Sequence, residues 1–161
     1  MLDQIIHYLR SRDIPFRLSS HPSPEPLPEV AHPLPPGGMR VDVQVILVAG
    51  RAILAAVPHG AKVGFPGLTR ELGVAVIEGF TSDLPPPYSR ATGGIPPFGG
   101  AMGVPTFVDE AVTTAAVLTF TTFSPGDYLE IDYDDFARLE QPRVSAFAIS
   151  GELTAGAPLA A

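Results

Sequence analysis

The sequence of 161 residues contains no cysteine. This absence excludes disulfide bonds, thiolate nucleophiles and zinc sites with thiolate ligands. It is also compatible with a reducing compartment.

Lysine is almost as scarce, since Lys62 is the only one and the net charge is −7. Nucleic-acid-binding proteins usually gather Lys and Arg on one face, because their affinity comes largely from neutralising phosphates. The overall charge therefore opposes RNA binding, although a local basic patch would suffice for contact.

Long apolar runs are missing too. The longest candidate for a membrane span, residues 43–58, is interrupted by Gly50 and Arg51. The first residues lack the basic segment and apolar core of a signal peptide. We therefore expect a cytoplasmic protein with no membrane partner.

Glycine (16 residues) and proline (19 residues) are abundant, which favours many turns and short elements. The proline-rich residues 21–38 predict an extended surface loop, which is also a candidate partner-docking segment. The apolar spacing elsewhere predicts helices at 2–12, 62–72 (with Pro66 in its first turn and Gly73 as its cap) and 133–139, and strands at 16–18, 41–48, 52–57, 74–77, 105–108, 116–123, 128–132 and 144–149.

Short strands with helices scattered among them indicate an α+β domain. We expect a mixed, mostly antiparallel sheet curled into a partly open barrel and flanked by short helices. Residues 1–149 would form this single domain, and residues 150–161 a loose C-terminal tail.

Several segments, in this order, resemble the YbaK (EbsC-like) family of aminoacyl-tRNA deacylases, which includes the editing domain of bacterial prolyl-tRNA synthetases. The resemblance covers about residues 1–149 and implies a partly open mixed barrel that acts on mischarged aminoacyl-tRNA. It rests on IPF at 14–16, SHP at 20–22, Arg40-Val41, ILAAVP at 53–58, Leu72-Gly73, GGIPPFG at 93–99, PTFVDE at 105–110 and YDDFARL at 133–139.

The GGIPPFG loop is the best candidate site. Gly93 and Gly94 allow main-chain amides to approach a ligand, and the prolines stiffen the turn, so the loop can bind an ester carbonyl or a developing oxyanion. The resemblance implies that Gly93, Gly94 and Pro97 shape the aminoacyl pocket, with the terminal ribose hydroxyl of the tRNA assisting. Phe98 and Gly99 belong to the same loop. The alternative is a tight connector between strands.

The lysine that the family carries on its first hairpin strand is absent here. Val43 or Gln44 occupies its place, and neither offers a positive charge. Gln44 keeps hydrogen-bonding ability and shares a strand face with Asp42, and that face is either the pocket or solvent.

Three further residues complete the predicted substrate-binding set. His21 lies in the SHP segment, Asp109 ends the strand of the VDE motif, and Phe123 replaces a residue that is usually small in the family. Phe123 would narrow the pocket or belong to the core. The remaining histidines show no ligand spacing, so we predict no metal site and no cofactor.

Two hypotheses follow. The first is a deacylase-like protein with aminoacyl-tRNA as its partner, hydrolysing the ester of a mischarged tRNA. The second is a catalytically degenerate relative that binds a small ligand or a protein, which the missing lysine and the net charge of −7 favour.

Overall fold

The computed structural model describes residues 1–20, 34–123 and 126–150. This part contains four α-helices: α1 (Leu2–Ser11), α2 (Phe65–Leu72), α3 (Gly99–Met102) and α4 (Tyr133–Glu140). Its ten strands are β1 (Arg17–Ser20), β2 (Gly38–Val48), β3 (Arg51–Pro58), β4 (Ala61–Val63), β5 (Val76–Glu78), β6 (Thr106–Asp109), β7 (Val117–Thr121), β8 (Asp127–Asp132), β9 (Arg143–Ser145) and β10 (Ala148–Ser150). It also contains three short 3₁₀ helices. The first (Thr81–Asp83) follows β5, the second (Tyr88–Arg90) precedes α3, and the third (Glu110–Thr114) follows β6.

The strands form one large open sheet and one small one. The large sheet runs in the order β1-β8-β7-β2-β3-β6-β9, with β5 also paired to β2, and β10 pairs with β4 in the small sheet. Most pairs are antiparallel, and the parallel ones are β2 with β7, β3 with β6, and β6 with β9. The predicted α+β fold with a mostly antiparallel, incompletely closed sheet is confirmed.

The long strand β2 changes partner along one edge. Residues 38–40 pair with β7, whereas residues 46–48 pair with β5. Within the described ranges, residues 41–45 have no strand partner on that edge, although β3 accompanies them on the other. The sheet therefore splits open between β7 and β5.

The β2–β3 hairpin separates two apolar cores. Alternation places Val41, Val45 and Leu54 in a main core with α1, α3 and α4. Residues on the other face, such as Ile46 and Val57, pack in a second core beneath α2 and β4. Burial on both faces explains why the hairpin sequence is almost continuously apolar.

Two local predictions are wrong. The helix predicted at 62–72 begins only at Phe65, because residues 61–63 extend as β4 to pair with β10. The strand predicted at 144–149 is two strands in different sheets, since the chain turns where Asp109 accepts the N–H groups of Phe147 and Ala148. The short helix α3 was not predicted.

Other local predictions are confirmed. Helix α1 and the β2–β3 hairpin lie where expected, and Gly73 caps α2 with a left-handed φ of 72°. Most of the proline-rich loop, including His21, and all of the tail after Ser150 lie outside the described residues. In the described ranges, no helix is long and apolar enough to cross a bilayer.

Candidate functional site

A cleft of about 360 Å³ lies where the sheet splits. Three segments form it: the middle of β2, the stretch that follows β5, and the start of the GGIPPFG loop. The lining residues are Val43, Gln44, Val45, Phe65, Glu78, Gly79, Phe80, Thr81, Gly93, Gly94 and Ile95. Its volume suits a small ligand or one end of a larger one.

The two glycines pack directly against the end of β7 and the chain that follows it. A Cβ atom added to Gly93 would overlap the carbonyl oxygen of Phe123, and one added to Gly94 would overlap the hydroxyl of Thr121. Glycine is therefore required here by close approach to the protein itself. The predicted reason, close approach to a ligand, is not needed to explain it.

The same packing leaves hydrogen-bond donors at the cleft. The N–H groups of Gly93 and Gly94 have no acceptor among the described residues, and both residues are only half-buried. Unpaired main-chain donors are rare inside proteins, so these two are available to water or to a ligand oxygen. A carbonyl oxygen or an oxyanion is the matching ligand group.

The structure separates the two candidates for the lysine position. Val43 packs against the main core, the cluster that also contains Ile95 of the loop. Gln44 lies on the other face of β2, and its Oε1 accepts the N–H of Val63 at 2.8 Å. Gln44 thus fastens β4 across the hairpin. Val43 is the better candidate for contact with the loop side of the cleft.

The charge of the cleft is negative. Among the described residues that line it, Glu78 alone is charged, and neither Lys nor Arg is present. Lys62 lies exposed on β4 and is not part of the lining. An anionic group in this cleft would find main-chain donors but no side-chain cation.

The other loop residues of the predicted site belong to the interior. Pro97 is buried. Phe98 is fully buried and packs against Phe120 and Phe136. The N–H of Gly99 donates to Thr106 Oγ1 at 3.0 Å. None of the three lines the cleft.

Asp109 and Phe123 also stand apart from the lining. The buried Asp109 carboxylate accepts the N–H groups of Ala111, Phe147 and Ala148, so it holds β9 and β10 in place. The Phe123 ring is half-buried and lies 6.0 Å from the Tyr88 ring between centroids. The structure therefore brings together Gly93, Gly94, Val43 and Gln44 from the predicted set.

Six lining residues outside the GGIPPFG loop were missed by the sequence prediction: Val45, Phe65, Glu78, Gly79, Phe80 and Thr81. Phe65 was assigned to a helix, and Glu78 and Phe80 lay beyond the end of the strand predicted at 74–77. No residue spacing connects these positions to the GGIPPFG loop. The pairing of β5 with β2 brings Glu78 and the residues after it to the cleft.

A second polar cluster joins α1, α3 and α4. The Tyr8 hydroxyl donates to Glu140 Oε2 at 2.7 Å, and the Gly100 N–H donates to Glu140 Oε1 at 2.8 Å. Burial raises the pKa of the Glu140 carboxyl above its usual range, in spite of these two hydrogen bonds, which favour the ionised form. Burial, together with the Glu140 partner, also raises the pKa of Tyr8.

This cluster adjoins a separate cleft of about 400 Å³. The Tyr8 and Glu140 side chains of this cluster are already hydrogen-bonded to each other. The cluster therefore links α1 to α4 structurally. Within the described ranges, no group of three or more His, Asp or Glu side chains could hold a metal ion.

No family model matches the chain, and no curated protein sequence does either. Solved structures with a similar fold do exist. A hypothetical protein of known crystal structure shares 15% identity at a TM-score of 0.70, covering 91% of this chain and 99% of its own. A "putative signal transduction protein" from Marinobacter aquaeolei VT8 shares 14% identity at a TM-score of 0.70, covering 92% of this chain and 31% of its own.

A third similar structure is that of a "putative trans-editing enzyme for prolyl tRNA synthetase". It shares 14% identity at a TM-score of 0.67, over 92% of this chain and 96% of its own. At such identities these likenesses establish a shared fold and leave activity open. The fold implied by the sequence resemblance is confirmed.

Proposed function

We propose that the chain is an aminoacyl-tRNA deacylase-like protein whose cleft binds the aminoacyl end of a charged tRNA. One observation carries the proposal: Gly93 and Gly94 line a small cleft, and their N–H groups have no acceptor among the described residues. The fold shared with the "putative" editing protein supports it. The resemblance of the sequence to the YbaK family adds the substrate class. Such a role belongs in the cytoplasm, where tRNA is charged.

The chemistry would be ester hydrolysis. Water adds to the ester carbonyl, the bond to the ribose oxygen breaks, and that oxygen leaves with a proton. Negative charge develops on the carbonyl oxygen, and donors aimed at this oxygen lower the barrier. Gly93 and Gly94 would supply these donors, while the apolar side chains of Val43 and Ile95 would contact a small amino-acid side chain.

A panel of mischarged aminoacyl-tRNAs tests this proposal. The decay of each ester is measured with and without the protein, and at least one ester should decay faster with it. The variant Val43→Phe fills the cleft and should abolish the acceleration. Val74→Phe makes the same change at an exposed valine outside the cleft and should retain it. If no ester decays faster than in buffer, catalysis is ruled out.

A second function is favoured by the absence of a cation from the described lining of the cleft. The chain would then be a catalytically silent relative that binds a small ligand or a protein. Tight binding of a ligand other than tRNA, without RNA binding at low salt, would support this function directly.

Lysine substitutions distinguish the two functions. Val43→Lys places a cation on the loop side of the cleft, and Gln44→Lys places one on the opposite face of β2, where it removes the acceptor of the Val63 N–H. Deacylation that appears in Val43→Lys, from an inactive starting protein, indicates a silenced site. Gln44→Lys tests the other candidate position; deacylation that appears in this variant would indicate a silenced site equally, although the variant should lose stability because the Val63 N–H loses its acceptor.

A further inference from the structure

Glu78 is held rigidly at the wall of the cleft. It ends β5 opposite Ile46 of β2, and the following N–H, of Gly79, donates to the Val45 carbonyl at 2.9 Å. A Cβ atom on Gly79 would crowd that carbonyl at 3.1 Å, so the chain approaches β2 closely here. The backbone on both sides of Glu78 is therefore fixed, while its side chain is exposed.

The carboxylate has no partner among the described residues, since it forms no hydrogen bond or ion pair with them. Two aromatic rings line the same cleft. Phe65 is half-buried, and Phe80 is 64% exposed, which is unusual for a side chain of this size. A carboxylate that lines a cleft together with aromatic rings, with neither Lys nor Arg among the described lining residues, matches the chemistry of an ammonium ligand.

We infer that Glu78 binds the free α-ammonium group of the aminoacyl ester, with Phe65 and Phe80 beside it. This inference rests on the proposed function and narrows its substrate class to esters with an unblocked amine. In an aminoacyl ester the ammonium and the carbonyl are attached to neighbouring atoms. The cleft offers a group for each across the edge of β2: the Glu78 carboxylate on the face of Ile46 and Gln44, and the N–H donors of Gly93 and Gly94 on the face of Val43. An N-acylated aminoacyl ester would lose the charge and be discriminated against.

Binding of uncleavable analogues tests the inference without requiring turnover. The probes are 3′-alanylamino-3′-deoxyadenosine, which has an amide in place of the ester, and its N-acetyl derivative. Their dissociation constants are measured by calorimetry or NMR titration. The native chain should prefer the free amine by about five- to tenfold, the range expected for a partly exposed charged contact.

Two variants complete the experiment. Glu78→Gln keeps the shape of an exposed side chain and should remove the preference. Glu71→Gln removes the same charge from an exposed position on α2 outside the cleft and should keep it. Equal binding of the two probes by the native chain, binding of neither, or a preference that survives Glu78→Gln would overturn the inference. Glu78 would then be a solvated charge on the edge strand β5.

The outcomes separate this inference from the proposed function. Selective binding of the free-amine probe, without hydrolysis of any ester, supports the inference and rejects catalysis. Hydrolysis of free and N-acetylated aminoacyl-tRNA at equal rates supports catalysis and overturns the inference.

Discussion

Single residues decide how closely the GGIPPFG loop packs against the chain after β7, and Gly93 shows this most directly. Its neighbour is a main-chain carbonyl, that of Phe123, which no rotamer change can move away. We expect Gly93→Ala to lower the free energy of unfolding by about 1–3 kcal/mol, as overpacking does. Urea denaturation measures the change. Gly67→Ala is the control, because nothing lies within 4 Å of its added Cβ.

Gly67 lies within α2, where alanine replaces glycine without strain. Gly67→Ala should therefore raise the free energy of unfolding by about 0.5–1 kcal/mol. If both glycine variants shift stability in the same direction, the contact between the loop and Phe123 does not constrain the fold.

Gly94 differs because its neighbour is a side chain. The added methyl group would overlap Thr121 Oγ1, which the substitution Thr121→Ala removes. We expect Gly94→Ala to destabilise the chain by about 1–3 kcal/mol, and the double variant Gly94→Ala/Thr121→Ala to recover part of the loss. A double-mutant cycle from urea denaturation gives the coupling. Strictly additive effects would contradict the contact.

Glu140 should give stability a pH dependence of known sign. Its pKa is raised in the folded chain, so the folded state holds the proton more tightly than the unfolded state. The stability linked to this proton is fully present below the unfolded pKa and is lost as pH rises through the folded pKa. Relative to Glu140→Gln, the native chain should gain stability on acidification through this window.

Urea denaturation of the native chain and of Glu140→Gln, measured side by side from neutral pH downward, isolates this contribution. Glutamine can still accept the N–H of Gly100 and contact the Tyr8 hydroxyl, so the variant should fold. A stability difference that does not change with pH would contradict the raised pKa.

At the scale of elements, one carboxylate fastens two strands. Asp109 accepts three main-chain N–H groups, those of Ala111, Phe147 and Ala148. Asp109→Asn turns an NH₂ group toward at least one of these donors, so we expect a loss of about 1.5–3 kcal/mol in the free energy of unfolding. Chemical denaturation measures it, with faster amide exchange at residues 148–150.

Asp83→Asn is the matched control for this prediction. The Asp83 carboxylate is exposed and, among the described residues, accepts only the Phe80 N–H, so its replacement should cost no more than about 1 kcal/mol. Equal losses in the two variants would show that Asp109 does not hold the β9–β10 segment.

Elements were predictable from the sequence where the chain carries a strong local pattern. The helix α1 and the β2–β3 hairpin have clear apolar periods, and Gly73 marks the end of α2. The strands β4 and β10 have three residues each and depend on each other for pairing, so no local signal distinguishes them. The break at Asp109 depends on hydrogen bonds across 38 residues.

The candidate site was only partly predictable for the same reason. The GGIPPFG loop stands out locally, and Val43 and Gln44 follow from the resemblance. The alternation of β2 predicts that Val43 and Gln44 lie on opposite faces of the strand. Which of the two faces meets the loop depends on tertiary packing, which the sequence does not reveal. Glu78 reaches the cleft only because β5 pairs with β2.

At the scale of the whole molecule, the net negative charge should limit the number of tRNA phosphates that the chain contacts. It carries 10 Lys and Arg against 17 Asp and Glu. Given the proposed function, we expect few phosphate contacts. The slope of log affinity against log salt for an aminoacyl-amide tRNA should then be shallower than about −3.

Filter binding between 50 and 200 mM salt would measure this slope, with 3′-alanylamino-3′-deoxyadenosine as a control that has no phosphates and should show almost no salt dependence. A slope near −6 would correspond to contacts with about seven phosphates. Such a slope would contradict the prediction and indicate a local basic surface in spite of the negative net charge.

The β2–β3 hairpin is a partition between two separately packed interiors, and the cleft touches both sides of it. Val43 belongs to one interior, while its neighbour Gln44 fastens the other through Val63. An occupant that presses on Val43 and draws Gln44 away from β4 acts on both halves of the chain at once. A ligand that displaced Gln44 from the Val63 N–H would therefore loosen β4 and, through their pairing, β10.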